Sequence, residues 1–128
     1  MTKEKFEFFG NQIFKAALEV HKYLGPGLLE SVYEFSLVKE LQLRNISVVY
    51  QIQTPLFYKG HDTGKNFFID ILVEDEIIIE AKAVETLLPV HEAQLLSYLK
   101  MADKRLGFLI NFNVVLLKYG FKRKVNNY

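Results

Sequence analysis

Apolar residues recur with helical spacing through the first third of the chain. The stripe begins near residue 5 and consists of Phe6, Phe9, Ile13, Ala16, Ala17, Val20 and Leu24. It stops at Gly25 and Pro26, which make continuation of a helix costly. Helical spacing resumes from Leu28 to Leu43. The pattern therefore predicts two helices joined in a hairpin.

From Val48 the pattern changes to short extended runs that are typical of strands. Four such runs read "VVYQI", "PLFYKG", "NFFIDILV" and "EIIIEAK". The turn formers that separate them are Gly60, Asp62, Gly64 and the acids at 74–76. Pro89 suits the first turn of a third helix that ends near Ala102, and two late strands, "LGFLINF" and "VVLLKYG", are predicted after it.

These elements predict an α/β fold with a mixed central sheet flanked by helices, in the order α-α-β-β-β-β-α-β-β. A length of 128 residues, 50% of them hydrophobic, suits a single domain spanning residues 1–128 around one core.

The composition limits the cellular location, the metal ligands and the binding partners that we expect for this chain. No run approaches the roughly 18 apolar residues of a membrane span, and the start of the chain does not resemble a signal peptide. The absence of cysteine fits a reducing compartment, so we expect a cytoplasmic protein whose metal ligands, if any, are oxygen or imidazole. A net charge of +1 argues against a general polyanion binder, although the segment "LKYGFKRKV" is rich in cations.

Acids occupy unusual places in two of the predicted strands. Asp70 interrupts the apolar run "NFFIDILV", and Glu80 and Lys82 are two residues apart in "EIIIEAK" and so share one face of their strand. If Val73 pairs with Ile77 across a three-residue loop, Asp70 lies opposite Glu80. A two-residue loop would separate the two acids unless a bulge intervened.

Carboxylates held that close repel each other, and a hard divalent cation removes the repulsion by binding oxygens of both. The pair therefore predicts half of a site for Mg²⁺ or Mn²⁺. A backbone carbonyl, most simply that of Ala81, and waters would complete it.

Two predicted helices carry side chains that we expect near this cation. Glu30 shares its helical azimuth with Leu37 and Leu41, so it is predicted to point toward the sheet rather than into solvent. Gln94 and Tyr98 lie one turn apart on the third helix and would close the site from another side.

Gly27, Glu30 and Tyr33 spell the signature of the bacterial GxxExxY proteins, and "LLPVHEAQLLSYLK" and "GFLINFNV" resemble later blocks of that family. The resemblance covers nearly the whole chain. Because that family is assigned to the PD-(D/E)XK nuclease-like superfamily, the resemblance implies a restriction-endonuclease-like core. Ile69 precedes Asp70 where the superfamily motif has proline, a departure that the superfamily tolerates.

By that resemblance, Asp70 is the acid of the first motif, and Glu80 and Lys82 are the E-x-K of the second. Glu30 corresponds to the helical acid that precedes the sheet. The implied function is Mg²⁺- or Mn²⁺-dependent hydrolysis of phosphodiester bonds in nucleic acid, with DNA favoured over RNA. The carboxylates and the Ala81 carbonyl would bind the cation, and Lys82 would orient the attacking water.

Gln94 and Tyr98 resemble the Q-x-x-x-Y element of the exonuclease branch of the superfamily. By that resemblance they would position the nucleic-acid strand near the scissile phosphate.

Structural interpretations fit several of the same residues. Glu30 can complement the helix dipole, Glu80 with Lys82 can be a surface ion pair, and His91 can be a helix cap. The cations of the "FKRKV" segment fit either a solvated edge strand or a nucleic-acid contact.

Two other functions compete with nuclease activity. One is a non-catalytic module that binds nucleic acid or protein on a nuclease-like scaffold. The other is an interaction protein whose "FKRKV" edge adds a strand to a partner. The small size and near-neutral charge also favour a partner, or a homodimer, that completes a substrate groove.

Overall fold

A computed structural model describes residues 1–128 and contains three α-helices and one five-stranded sheet. The elements in chain order are α1 (Lys3–Leu24), α2 (Glu30–Leu43), β1 (Val48–Tyr58), β2 (His61–Val73), β3 (Ile77–Lys82), α3 (Pro89–Ala102), β4 (Leu106–Asn111), a 3₁₀ turn (Leu117–Tyr119) and β5 (Phe121–Val125). The strand order is β1-β2-β3-β4-β5. Only β3 and β4 are parallel, because α3 carries the chain back across the sheet between them. The mixed sheet flanked by helices is therefore confirmed.

The predicted number of early strands is wrong by one. "VVYQI" and "PLFYKG" belong to a single strand, β1, and Asp62 and Gly64 lie within β2 rather than in a turn. The turn is confined to Lys59 and Gly60, whose φ angles of 48° and 80° are those of a tight two-residue hairpin. The pairing of β1 with β2 shifts in register between Pro55 and Phe57, and both strands continue through this irregularity.

The last strand also differs from the prediction. "VVLLKYG" forms a loop and the 3₁₀ turn, and the edge strand is the following segment, "FKRKV". Leu117 is buried in the core while Val115 is 87% exposed, so this apolar run does not alternate as a strand would. Pairing with β4 begins only at Phe121, after the Gly120 carbonyl has accepted a hydrogen bond from the Asn111 amide.

The core has two layers, one on each face of the sheet. The larger cluster packs α1 and α2 against the sheet, and the smaller one packs Leu95 and Leu99 of α3 against the other face. At Gly107 a Cβ would lie 3.0 Å from Leu95 Cδ1 and 3.2 Å from the Ile78 carbonyl oxygen, so the absence of a side chain there lets α3 approach closely. None of the three helices combines the length and apolar character that crossing a membrane requires.

The loop between α1 and α2 is fixed by a buried tyrosine. Gly25 and Gly27 adopt φ angles of 71° and 95°, which side-chain-bearing residues rarely adopt. The Tyr33 hydroxyl donates to the Gly25 carbonyl and accepts from the Leu28 amide at 3.1 Å. The Tyr33 ring is fully buried and stacks on Phe112 at 4.8 Å. The glycine and tyrosine of the G-x-x-E-x-x-Y segment therefore set the direction in which α2 begins.

We expect Tyr33→Phe to lower the free energy of unfolding by about 1–2 kcal/mol, because the buried hydroxyl satisfies two backbone groups of the loop. Urea denaturation followed by circular dichroism measures the change. Tyr23→Phe is the matched control, since the Tyr23 side chain is 85% exposed. Equal losses in the two variants would show that the hydroxyl does not hold the loop.

Candidate active site

The register between β2 and β3 places Asp70 level with Glu80. Val73 pairs with Ile77 and Ile71 with Ile79, so the three-residue loop is the one that forms. Beyond Ile71 the Asp70 side chain replaces the backbone ladder, because its Oδ2 accepts a hydrogen bond from the Ala81 amide at 3.2 Å. The Ala81 carbonyl points to the same side of β3 as its amide. The two acids are therefore neighbours, as the three-residue loop predicts, while the role of the Ala81 carbonyl as a metal ligand stays a prediction.

The sheet is irregular at the level of Asp70. Before it, Phe67 and Ile69 pack in the cluster on the α3 side, whereas after it Ile71 packs in the cluster on the α1 and α2 side. Gln51, which lies opposite Asp70 on β1, has a φ of 49°, an uncommon value for a non-glycine residue. The alternation of faces thus changes at Asp70. Such local strain is concentrated at functional sites.

Glu80 is the most perturbed ionisable group of the site. Its residue is 3% exposed, and its Oε1 has no hydrogen-bond partner. Burial raises its pKa from an ordinary 4.5 to about 10, helped by a hydrogen bond to the Asp70 side chain and by the charge of Asp70, while the charge of Lys82 acts in the opposite direction. Without a cation, Glu80 is therefore protonated at neutral pH.

Lys82 and Tyr98 both lie on the α3 side of the sheet, as does Glu80. Lys82 is half-buried and forms no ion pair within 4.0 Å, so its ammonium group is not consumed by a structural partner. The pKa of Tyr98 is raised by burial and then by the charges of Glu80 and Asp70, which places its hydroxyl within their field. Its ring stacks on Phe67 at 4.6 Å between centroids. Gln94 lies one turn earlier on α3 and is exposed.

Glu30 does not lie as predicted. It occupies the first turn of α2, but its side chain is exposed rather than directed toward the sheet. Glu30 shares its azimuth with Leu37 and Leu41, which are fully buried, but it is the first residue of α2, and the helix is open to solvent there. A role for Glu30 as a metal ligand stays a prediction.

Glu34, one turn after Glu30, is a residue that sequence reasoning missed. Gln51 Nε2 donates to Glu34 Oε1 at 2.6 Å and to Asp70 Oδ1 at 3.4 Å, so the amide bridges the two acids. Burial raises the pKa of Glu34, as do the charges of Asp70 and Glu30, against the hydrogen bond from Gln51. The available signal was the four-residue spacing from Glu30, which puts both acids on one helix face.

The residues fit a divalent cation in part. No cluster of three or more acidic, histidine or cysteine side chains is arranged to hold a metal. The Asp70 and Glu80 carboxylates, however, lie together with an unsatisfied buried Glu80 oxygen and a nearby carbonyl. Magnesium commonly takes one or two carboxylates and retains several waters. Two carboxylates and one carbonyl therefore suit a magnesium ion that keeps waters in its coordination shell. They are too few to fill the shell with protein ligands alone.

Two other predicted polar groups have structural roles. His91 Nδ1 accepts a hydrogen bond from the Leu88 amide at 2.9 Å and so caps α3, as its alternative interpretation held. On the edge strand β5, Arg123 pairs with Glu7 at 3.0 Å and Lys124 pairs with Glu92 at 2.6 Å. These ion pairs favour the interpretation of the "FKRKV" segment as a solvated edge strand.

Comparison with known proteins supplies one match. The family model of the PD-(D/E)XK nuclease superfamily matches residues 7–124, which is nearly the whole chain. No curated protein and no solved structure matches the chain.

The raised pKa of Glu80 predicts a pH-dependent stability. Between pH 4.5 and about 10 the folded protein holds a proton on Glu80 that the unfolded chain has lost, so this group destabilises the fold increasingly as pH rises. We expect Glu80→Gln to gain stability relative to the natural protein between pH 6 and 9, by at most about 1.4 kcal/mol per pH unit. Urea denaturation in EDTA at several pH values measures the difference.

Glu85→Gln is the control for this experiment, because Glu85 is an exposed acid in the loop that follows β3. Its stability should track that of the natural protein at every pH. A Glu80→Gln curve that also runs parallel to the natural one would contradict the buried, protonated state of Glu80.

Proposed function

The chain belongs to the PD-(D/E)XK nuclease superfamily, and we propose that it is a metal-dependent nuclease that hydrolyses phosphodiester bonds of nucleic acid. The observation that carries this proposal is the Asp70–Glu80 pair, in which a buried carboxylate oxygen has no partner and Lys82 lies two residues further on. A structural ion pair would not leave that oxygen unsatisfied.

In this proposal Asp70, Glu80 and the Ala81 carbonyl hold the cation, and Glu30 contributes through water. Members of the superfamily generally use divalent metals. The cation, when bound, would polarise the phosphoryl oxygen and favour deprotonation of the attacking water. Glu34 and Gln51 act on the Asp70 carboxylate from the other side, because the Gln51 amide fixes one of its oxygens.

Lys82 supplies positive charge to the reaction. It shares a strand face with Glu80, and its ammonium is free of ion pairs. It would orient the attacking water and stabilise the charge that develops on the phosphoryl oxygens.

Gln94 and Tyr98 would bind the strand near the scissile phosphate. Both lie on one face of α3, and Tyr98 lies within the field of the two acids. The Tyr98 ring is held by its stacking on Phe67, so the hydroxyl is presented in a fixed position.

The competing function is a non-catalytic module that binds nucleic acid or protein. The net charge of +1 favours it, because such a chain lacks the strong positive charge that attracts a polyanion. Membership of the GxxExxY proteins, a choice of Mg²⁺ or Mn²⁺, a preference for DNA, a cytoplasmic location and a homodimer stay predictions.

We expect Asp70→Asn and Lys82→Ala each to reduce cation-dependent cleavage by about 10²-fold or more. Asn retains an oxygen for the Ala81 amide, so the fold should persist while the charge that binds the cation is lost. The assay follows labelled DNA and RNA, single-stranded and duplex, with Mg²⁺, with Mn²⁺ and with EDTA.

Glu4→Gln and Lys15→Ala are matched controls, since both residues are exposed on α1, which belongs to a different part of the fold. They should cleave at the natural rate. Cleavage at that rate by folded Asp70→Asn would refute the assigned role, and binding without cleavage by the natural protein would support the competing function.

A further inference from the structure

The β1–β2 hairpin extends well beyond the rest of the sheet. By the register of β2 with β3, Phe68 is level with Lys82, the last residue of β3. Residues 53–68 therefore lie at or beyond the end of β3, and we call this segment the arm. It leaves the sheet two residues from Asp70, at the end where the proposed site lies.

The two faces of the arm differ. Ile52 and Leu56 pack against the cluster on the α3 side, so the alternating residues Gln53 and Phe57 face the opposite way. Phe68 shares that outward face because it pairs with Gln53. The rings of Phe57 and Phe68 are 52% and 51% exposed. Large apolar rings repeated on one open face mark a surface that binds something.

The outward face is continuous with the proposed site. Gln51, two residues before Gln53 on the same strand, reaches both Glu34 and Asp70. Phe57 lies four residues further out than Gln53, which corresponds to about 13 Å along the strand. The two rings therefore lie on the face from which Gln51 reaches Asp70, and Glu80 lies behind Asp70 on the α3 side of the sheet.

The charge of the arm suits a polyanion. Lys59 and Lys65 form no ion pair, and Lys59 Nζ lies 5.5 Å from the centroid of the Tyr58 ring. Asp62 is the single acid of the segment, and its Oδ1 accepts a hydrogen bond from the Gly64 amide. Aromatic rings interleaved with unpaired lysines are the features of surfaces that stack bases and contact phosphates.

The arm is also held in place relative to the site. Phe67, on its inner face, stacks on Tyr98 of α3, so the segment nearest the sheet is anchored to the helix that faces Asp70 and Glu80.

We infer that the outward face of the arm is a stacking platform for single-stranded nucleic acid, which it leads past Gln51 to Asp70. Phe57 and Phe68 stack on unpaired bases, and Lys59 and Lys65 contact the phosphates. In a duplex the faces of the bases are already stacked on one another and are not accessible to these rings. The platform therefore selects unpaired strands. The inference rests on the proposed nuclease function and specifies its substrate class.

The test measures binding in EDTA, so that no strand is cleaved. Fluorescence anisotropy compares a labelled single-stranded oligonucleotide with its duplex, for the natural protein, Phe57→Leu and Phe68→Leu. Leucine retains apolar bulk but cannot stack, so we expect about tenfold weaker binding of the single strand for each variant. Tyr23→Leu, which removes an exposed ring on α1, should bind like the natural protein.

Each outcome bears on the inference. Unchanged single-strand binding by both Phe variants, or duplex binding as tight as single-strand binding, would overturn the platform while leaving the nuclease proposal intact. Cleavage assays with Mg²⁺ judge that proposal separately. If the two Phe variants instead convert a dimer to a monomer by light scattering and bind the strand normally, the arm contacts a second copy and the inference is wrong.

Discussion

Glu80 is almost completely buried beside Asp70, and one of its carboxylate oxygens has no hydrogen-bond partner. In an apolar sheet this arrangement costs stability, because a second charge cannot be accommodated there and a proton must be retained. Two features of the surrounding chain maintain it. The three-residue loop between β2 and β3 fixes the register, and the Ala81 amide holds the Asp70 carboxylate in the position of a ladder acceptor.

The scaffold arranges the remaining groups around that pair. α3 crosses between the parallel strands β3 and β4 and packs closely at Gly107, which brings Tyr98 within the field of the acids. The loop tied by Tyr33 sets the start of α2, and the Gln51 bridge then joins Glu34 to Asp70. Elements far apart in sequence therefore meet at one level of the sheet.

Local signals predicted most of the fold and the central pair of acids. Pro89 marks the start of α3, and the loop length sets the register that brings Asp70 to Glu80, since both are short-range properties. The errors fall where tertiary packing decides. "VVLLKYG" has the composition of a strand, yet burial of Leu117 turns it into a loop, and the exposure of Glu30 depends on where α2 meets the sheet. The positive φ of Gln51, the residue that forms the bridge, has no sequence signature.

The claim that Asp70 and Glu80 share a cation is tested most directly by a crystal grown with saturating Mn²⁺ in place of Mg²⁺. Anomalous diffraction locates the metal independently of the protein density. We expect a peak between the two side chains, in coordination contact with one oxygen of each. A structure with Mn²⁺ bound only elsewhere, and with Glu80 still paired to Asp70 through a proton, would contradict that claim.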